Sequence, residues 1–293
     1  MRNIKPLYCN VLFAKGPARL IPIRNNECND GKSGLRRRLL LVCTALAAGL
    51  TAALAPLAVR ADNLPRTIVA IKPSVVGVGS FLKTRSPAVT FSGTGFAVGD
   101  GLSIITNAHV VPTTLDTAKM EQLGVVVGAG QDVRFRAARL VALDRAHDLA
   151  HLRLEEGPPL PPLTLGDSRA AVEGQALAFT GFPLGMVLGL NHVTHRATLS
   201  AITPIVMPSL SSRRLDARAI TQLQRDPLKI FQLDGTAYPG NSGSPVYDAE
   251  SGAVVGVINM VFVKGLKETA ITNPSGISYA VPARYVQELL QQK

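Results

Sequence analysis

The chain has 293 residues, of which 46% are hydrophobic and 17% are charged. That length and apolar fraction suit one large or two medium domains with a substantial core, and they exclude a disordered chain. The net charge is +11, but residues 1–61 alone hold 10 Lys and Arg against 2 acids, and the remainder holds 21 against 18. Because the body of the chain is nearly neutral, the sequence predicts no nucleic-acid partner.

Residues 1–61 are predicted to be a leader. Three arginines at 36–38 precede an apolar run at 39–59, and small residues follow up to Ala61. A basic segment, an apolar run and a small-residue cleavage site make up an export signal, which we place at 35–61 with cleavage after Ala61. The expected location is periplasmic or secreted. Because the run is also long enough to span a bilayer, a retained signal anchor facing the periplasm is the alternative.

No metal and no cofactor are expected in the body of the chain. All three cysteines lie in the leader, so a mature chain that starts at residue 62 has neither a disulfide nor a thiolate ligand. His147 and His151 are four residues apart, which in an extended strand is about 13 Å, too far to share one ion. His192 and His195, three residues apart in a strand-like stretch, would point to opposite faces.

From Ser74 onward the sequence consists of short apolar runs separated by Gly, Pro, Asn and Asp. Runs of four to eight residues that are rich in β-branched types and spaced by turns are typical of a β-sandwich or barrel. The clearest runs lie at 75–78, 96–98, 125–127, 176–179 and 254–258, and the Gly-Asp-Gly sequence at 99–101 predicts a hairpin turn.

Helical patterns are few. One covers Leu64–Ile71 and stops before Pro73, and a terminal one covers 283–292. The proline-rich stretch 156–162 cannot continue a strand ladder, so it is predicted to be a linker between two halves. We therefore expect two similar all-β halves, at about 62–158 and 163–282, with a crevice between them.

Three segments carry residues suited to nucleophilic catalysis. His109 lies in the sequence TNAHVV, Asp148 in DRAHDLAHL and Ser242 in GNSGSPV. A serine hydroxyl needs a base to remove its proton during attack, and histidine, with an ordinary pKa of about 6.5, is the usual base. A buried carboxylate then orients the imidazole. Asp144 competes with Asp148 for this role, and we favour Asp148 because it directly precedes an apolar strand.

The same three segments resemble the active-site segments of trypsin-like serine proteases, most closely those of the bacterial HtrA/DegP-type branch. Four supporting segments occur in the family's order, and with them the resemblance covers nearly all of 64–292. They are KPSVV at 72–76, SGTGF at 92–96, GFPLG at 181–185 and GISYAVP at 276–282.

This resemblance implies an all-β protease domain at 62–293, made of two six-stranded antiparallel β-barrels with the active site at their junction. HtrA proteins usually carry one or two C-terminal PDZ domains, but none is expected here, because the sequence stops right after the predicted terminal helix. It implies that His109 is the general base, Asp148 the carboxylate that orients it and Ser242 the nucleophile. The backbone N–H groups of Gly240 and Ser242 are implied to form the oxyanion hole.

Primary specificity is less well defined by the sequence. The family usually has a second glycine where this chain has Ser244, and glutamyl-endopeptidase relatives share that serine. By analogy with the wider fold, the floor of the primary specificity pocket is expected at Thr236, followed by Ala237 and Tyr238. Because no carboxylate lies there, the pocket is expected to accept small or medium apolar side chains of the substrate. The strand expected to pair with the substrate backbone begins with Val257, Ile258 and Asn259.

The predicted function is that of a serine endopeptidase that acts through an acyl-enzyme on unfolded or damaged exported proteins. Its activity should rise with pH as His109 loses its proton. The alternative is a non-catalytic peptide-binding or chaperone-like protein on the same fold. The expected partners are protein or peptide substrates, with a membrane only if the leader is retained. HtrA relatives are commonly trimers, which makes a homotrimer the assembly to test.

Overall fold

The computed structural model describes residues 63–130, 132–205, 228–259 and 276–292. The predictions for the leader lie outside these residues. Within the described ranges, no helix is both long enough and apolar enough to cross a bilayer.

Six antiparallel strands close the first β-barrel. They are β1 (Val75–Phe81), β2 (Val89–Val98), β3 (Ser103–Thr106), β4 (Gln122–Ala129), β5 (Asp132–Asp144) and β6 (Leu149–Leu154). Their order around the barrel is β1-β2-β3-β6-β5-β4. Val76 and Val78 of β1 point into the barrel with Ile104, Val125 and Leu152. Closure leaves no strand edge of the barrel unpaired.

The second barrel repeats this topology. Its strands are β7 (Ala176–Gly181), β8 (Val193–Ile205), β9 (Leu228–Asp234), β10 (Pro245–Asp248), β11 (Val254–Ile258) and β12 (Ile277–Pro282). Taken from β7 around the barrel, the order is β7-β8-β9-β12-β11-β10, the same connectivity as in the first barrel. Its core contains Leu177, Phe179, Leu199, Phe231 and Ile258.

A third apolar cluster lies between the two barrels and includes residues from both of them. Val75 and Leu149 of the first barrel meet Tyr247 and Val257 of the second. This arrangement explains why β1 is apolar on both faces, since alternate residues fill the barrel and the contact between barrels.

Two helices complete this third cluster. Helix α1 (Leu64–Ile71) has a proline in its first turn, where the missing N–H costs nothing. Helix α3 (Ala283–Gln291) buries Ala283, Val286 and Leu289, which lie on one face at a spacing of three. A one-turn helix, α2 (Gly185–Leu188), follows β7, and short 3₁₀ turns lie at Lys72–Ser74, Ala108–Val110 and Thr117–Lys119.

The predicted fold class is confirmed: the described residues form two closed six-stranded antiparallel barrels and end in a short helix. The helix at Leu64–Ile71 has the predicted bounds, and the terminal helix ends at Gln291, one residue before the predicted end. The turn at 99–101 joins β2 to β3, which pair as a hairpin.

Candidate active site

His109 and Asp148 lie close together because His109 follows β3, Asp148 precedes β6, and these two strands pair. His109 lies in the 3₁₀ turn directly after β3, and Asp148 is the residue before β6. His109 Nδ1 lies 2.6 Å from Asp148 Oδ2, and the backbone N–H of His109 donates to Asp148 Oδ1 at 2.9 Å. A neutral imidazole that donates Nδ1–H to a carboxylate keeps its lone pair on Nε2, which is the tautomer of a general base.

Asp148 is held by further donors. Asn259 Nδ2 donates to its Oδ2 at 2.9 Å. Its main-chain carbonyl accepts from Asn107 Nδ2 at 3.0 Å and from the N–H of Ala108 at 3.1 Å. Asp148 has a φ of +54°, a left-handed conformation that costs a non-glycine residue about 1–2 kcal/mol. The surrounding hydrogen bonds hold Asp148 in this strained conformation.

Ser242 lies in the loop between β9 and β10 of the second barrel, and this loop is bonded to the first barrel through Thr94 of β2. The Thr94 N–H donates to the Ser242 carbonyl at 2.8 Å, and Thr94 Oγ1 donates to the Gly240 carbonyl at 2.7 Å. A Cβ on Gly93 would lie 2.9 Å from the backbone carbonyl oxygen of Ser242 and 2.6 Å from Val110 Cγ2. The Ser242 loop and the turn that carries His109 therefore both pack against Gly93, at the space that a side chain there would need.

The same loop is bonded to the strand that carries Asn259. The N–H of Gly243 donates to the Ile258 carbonyl at 3.0 Å, and Ile258 N–H donates to the Ser244 carbonyl at 2.9 Å. Because Asn259 follows Ile258 and binds Asp148, these bonds connect the Ser242 loop to the His109–Asp148 pair from the side of the second barrel.

Two N–H groups of the loop have an orientation fixed by their own peptide planes. The Pro239 carbonyl accepts from the N–H of Leu184 at 2.7 Å, and the Asn241 carbonyl accepts from the N–H of Ser244 at 2.9 Å. In a trans peptide the N–H points opposite to the C=O, so the N–H groups of Gly240 and Ser242 point away from these partners. Among the described residues, neither N–H has an acceptor. This pair is the predicted oxyanion hole.

Ser244, which stands where the family usually has a second glycine, packs against Gly181 of β7. A Cβ on Gly181 would lie only 2.0 Å from Ser244 Oγ and 2.9 Å from Asn241 Oδ1. Ser244 therefore occupies the space that any side chain at position 181 would need. The Ser244 hydroxyl and both polar atoms of the Asn241 amide are buried, and within the described residues they have no hydrogen-bond partner.

The residues predicted to bind substrate fall into two groups. Thr236 and Tyr238 are partly exposed, whereas Ala237 is buried and its N–H donates to Ser278 Oγ at 2.8 Å. The second group, Val257, Ile258 and Asn259, is buried.

Strand β11 leaves little room for a substrate strand before Asn259. Val257 pairs with Pro245 on one side and Val281 on the other, and Ile258 pairs with Ala280. The Asn259 N–H donates to the Tyr279 carbonyl at 2.9 Å, so all three residues already have backbone partners. The assignment of these residues to substrate binding stays a prediction.

Asp144 does not contact His109 but organises its own turn. Its Oδ1 accepts from the N–H groups of Ala146 and His147 at 2.9 and 3.1 Å, and its Oδ2 lies 2.5 Å from His147 Nδ1. The sequence predicts that His147 and His151 both lie in a strand. In the structure only His151 does, in β6, and His147 lies in this turn. Three other histidines, His151, His192 and His195, have their pKa lowered, chiefly by burial.

The sequence does not predict the contacts that Thr94, Asn107 and the side chain of Asn259 make in the site. Thr94 and Asn107 stand inside the motifs SGTGF and TNAHVV, which mark them as part of the site without giving their partners. Asn259 is predicted to contact substrate, yet its amide binds Asp148. A buried carboxylate needs several donors, and that requirement is the signal that could have identified such residues.

The two barrels, with the His–Asp pair contributed by the first and the serine loop by the second, define a protein of the chymotrypsin-like fold class. The family described as "Trypsin-like peptidase domain" matches residues 93–257. The chain therefore belongs to the trypsin-like peptidase family.

Similar proteins agree with this assignment. The chain is 29% identical over 68% of its length to a "Probable periplasmic serine endoprotease DegP-like" of Halomonas elongata, of which it covers 34%. It is also 29% identical over 76% of its length to human "Serine protease HTRA3", of which it covers 43%. The chain thus spans less than half the length of these curated relatives.

Solved structures share the fold. "HtrA-type protease AlgW with decapeptide" matches with a TM-score of 0.57 and 22% identity, covering 78% of this chain and 66% of the other. The "Rv3671c protease from M. tuberculosis, active form" matches with a TM-score of 0.55 and 24% identity, covering 78% and 84%.

Proposed function

We propose that the protein is a serine endopeptidase of the HtrA type, with His109 as general base, Asp148 as its orienting carboxylate and Ser242 as nucleophile. The observation that carries this proposal is the geometry at Asp148. Its carboxylate accepts from both the ring and the backbone of His109, which leaves Nε2 free as a base. Family membership and the named serine proteases among the relatives support the same activity.

In this mechanism His109 Nε2 removes the proton of Ser242 Oγ while Oγ attacks the scissile carbonyl carbon. The oxyanion that forms accepts hydrogen bonds from the N–H groups of Gly240 and Ser242, each worth about 3–4 kcal/mol of barrier. His109 then gives its proton to the leaving amine. Water, deprotonated by His109, hydrolyses the acyl-enzyme, and the proton returns to Ser242.

The proposed substrates are segments of unfolded or damaged proteins in the cell envelope. The DegP-like relative is named as periplasmic, and three AlgW structures are described as peptide complexes. Such segments would bind in extended form by backbone pairing with the protease. An export signal at 35–61, periplasmic or secreted location and a trimeric assembly belong to the same proposal.

The test is covalent labelling by a fluorophosphonate probe together with casein cleavage. Wild-type protein should be labelled at Ser242 and should cleave casein, and S242A should lose both. S244A, which removes a neighbouring hydroxyl of the same loop, is the matched control and should keep both. Equal casein cleavage by wild type and S242A would refute the proposal. Peptide binding without any labelling would favour the non-catalytic alternative.

A further inference from the structure

His147 stands directly before the proposed catalytic carboxylate and is not used by the proposed mechanism. It lies in the turn between β5 and β6, whose backbone is organised by the Asp144 carboxylate. The contact of 2.5 Å between His147 Nδ1 and Asp144 Oδ2 fixes the imidazole against this turn. The turn therefore carries the carboxylates of two His–Asp pairs, Asp144 with His147 and Asp148 with His109.

The other side of the His147 ring is held by the terminal helix. The rings of His147 and Tyr285 stack with their centroids 3.9 Å apart and an angle of 20° between their planes. Tyr285 is itself fixed by Arg284, whose Nη2 donates to the Tyr285 hydroxyl at 2.6 Å. The Arg284 N–H donates to Ser168 Oγ at 3.0 Å, which attaches the start of the helix to the segment before β7.

We propose that His147 is a positioning residue for Asp148, which acts by clamping the turn between the Asp144 carboxylate and the Tyr285 ring. This inference rests on the proposed function and extends it to a residue outside the triad.

The reason for such a clamp is the strained backbone of Asp148. A residue with a φ of +54° keeps that conformation only if its neighbours prevent relaxation. The carboxylate is held from one side by His109 and Asn259, and the chain on the other side enters through His147. Loss of the clamp lets the turn relax and moves the carboxylate away from His109 Nδ1.

A displacement of about 1 Å at a catalytic group can cost on the order of a hundredfold in rate. Because Asp148 orients the base and does not bind substrate, the cost should fall on kcat and leave KM nearly unchanged. The carboxylate also stabilises the protonated imidazole, so its displacement should move the acid limb of the kcat/KM profile to lower pH.

The experiment compares H147A, H147N and Y285L with R145A, which changes an exposed residue of the same turn. We expect H147A and Y285L to lower kcat about tenfold or more, with KM within about twofold, and to shift the acid limb downward. H147N should recover most of kcat, because its amide can still donate to Asp144 and stack on Tyr285. R145A should behave as wild type.

A second readout does not depend on activity. The low-field ¹H NMR resonance of the His109 Nδ1 proton, which is bonded to Asp148, should persist in wild type and R145A and should broaden or vanish in H147A. If H147A does not fold, Y285L and H147N decide the question by the same measurements. Folded H147A with unchanged kcat, acid limb and low-field resonance would overturn the inference. An inactive wild type that is not labelled at Ser242 would refute the proposed function alone, and the resonance would still test the clamp.

Discussion

The carboxylate of Asp148 is buried at the contact of two barrels, where an ion needs several hydrogen bonds to remain charged. His109 supplies two of them and Asn259 a third. The amide of Asn259 comes from the second barrel, so the orientation of the proposed base depends on a residue that is distant in sequence from both members of the pair.

Replacement of Asn259 by alanine should lower kcat about tenfold to a hundredfold, because a hydrogen bond to a charged group is worth about 1.5–3 kcal/mol. Steady-state kinetics on a peptide substrate measures this change. Q175A is the matched control, since Gln175 Nε2 donates to the Asp248 carboxylate at the same distance of 2.9 Å outside the site. Equal kcat in N259A and wild type would show that Asn259 does not orient Asp148.

The proposed triad can be predicted from the sequence, because each member stands in a short segment that resembles a family motif. The contacts that hold the triad were not accessible, because they join segments far apart in the chain. Asn259 is 111 residues from Asp148, and Thr94 is 146 residues from Gly240. No local pattern determines which polar side chain fills such a position, since that follows from how the two barrels pack.

The loop that carries Ser242 has strict backbone requirements. Gly243 has a φ of +87°, and a Cβ there would lie 2.0 Å from the Thr94 carbonyl oxygen. Gly174, in the turn before β7, has nearly the same φ of +88°, but a Cβ there would meet nothing within 4 Å. Alanine substitutions at the two glycines therefore separate the stability lost to a left-handed backbone from the stability lost to a steric clash.

We expect G174A to lower the free energy of unfolding by about 1–2 kcal/mol, which is the cost of a left-handed alanine. G243A should lose more stability than this and should lose most activity, because the clash with backbone forces the nucleophile loop away from Thr94. Urea unfolding and fluorophosphonate labelling measure the two effects. A G243A variant as stable and as readily labelled as G174A would contradict the geometry of the loop.

Strand prediction succeeded where apolar runs are continuous and failed where they are not. The run at 75–78 is apolar on both faces because β1 contributes to two clusters, so it is easily found. Strand β5 (Asp132–Asp144) includes three arginines and exposes Leu140 and Val141, so it has no recognisable core face. It forms because β4 and β6 pair with its two edges, which is a tertiary cause.

One buried histidine, His151, and two half-buried ones, His192 and His195, make the stability of both barrels sensitive to acid. His151 belongs to the first barrel and His195 to the second, while His192 Nε2 donates to the Val75 carbonyl at 2.9 Å and so connects the two. Burial lowers the pKa of all three below the unfolded value of 6.5. The unfolded chain therefore takes up protons below about pH 6.5 that the folded chain does not, and stability falls as the pH drops.

H195F should weaken this dependence. The phenyl ring can keep the stacking on Phe179, whose centroid lies 4.9 Å from that of His195, and it removes a buried Nε2 that has no partner. The decrease in Tm between about pH 7.5 and about pH 5.5 should be smaller in H195F than in wild type. Differential scanning calorimetry at both values checks this, and identical decreases would show that His195 is protonated equally in both states.

The cluster between the barrels takes Leu64 from the first helix and Leu289 from the last. A ribosome or a translocation pore delivers a polypeptide N-terminus first, so Leu64 emerges long before the residues that must cover it. Under the proposed function, the nascent chain stays proteolytically inactive at least until Leu289 has emerged, because the cluster that joins the two barrels is incomplete before then.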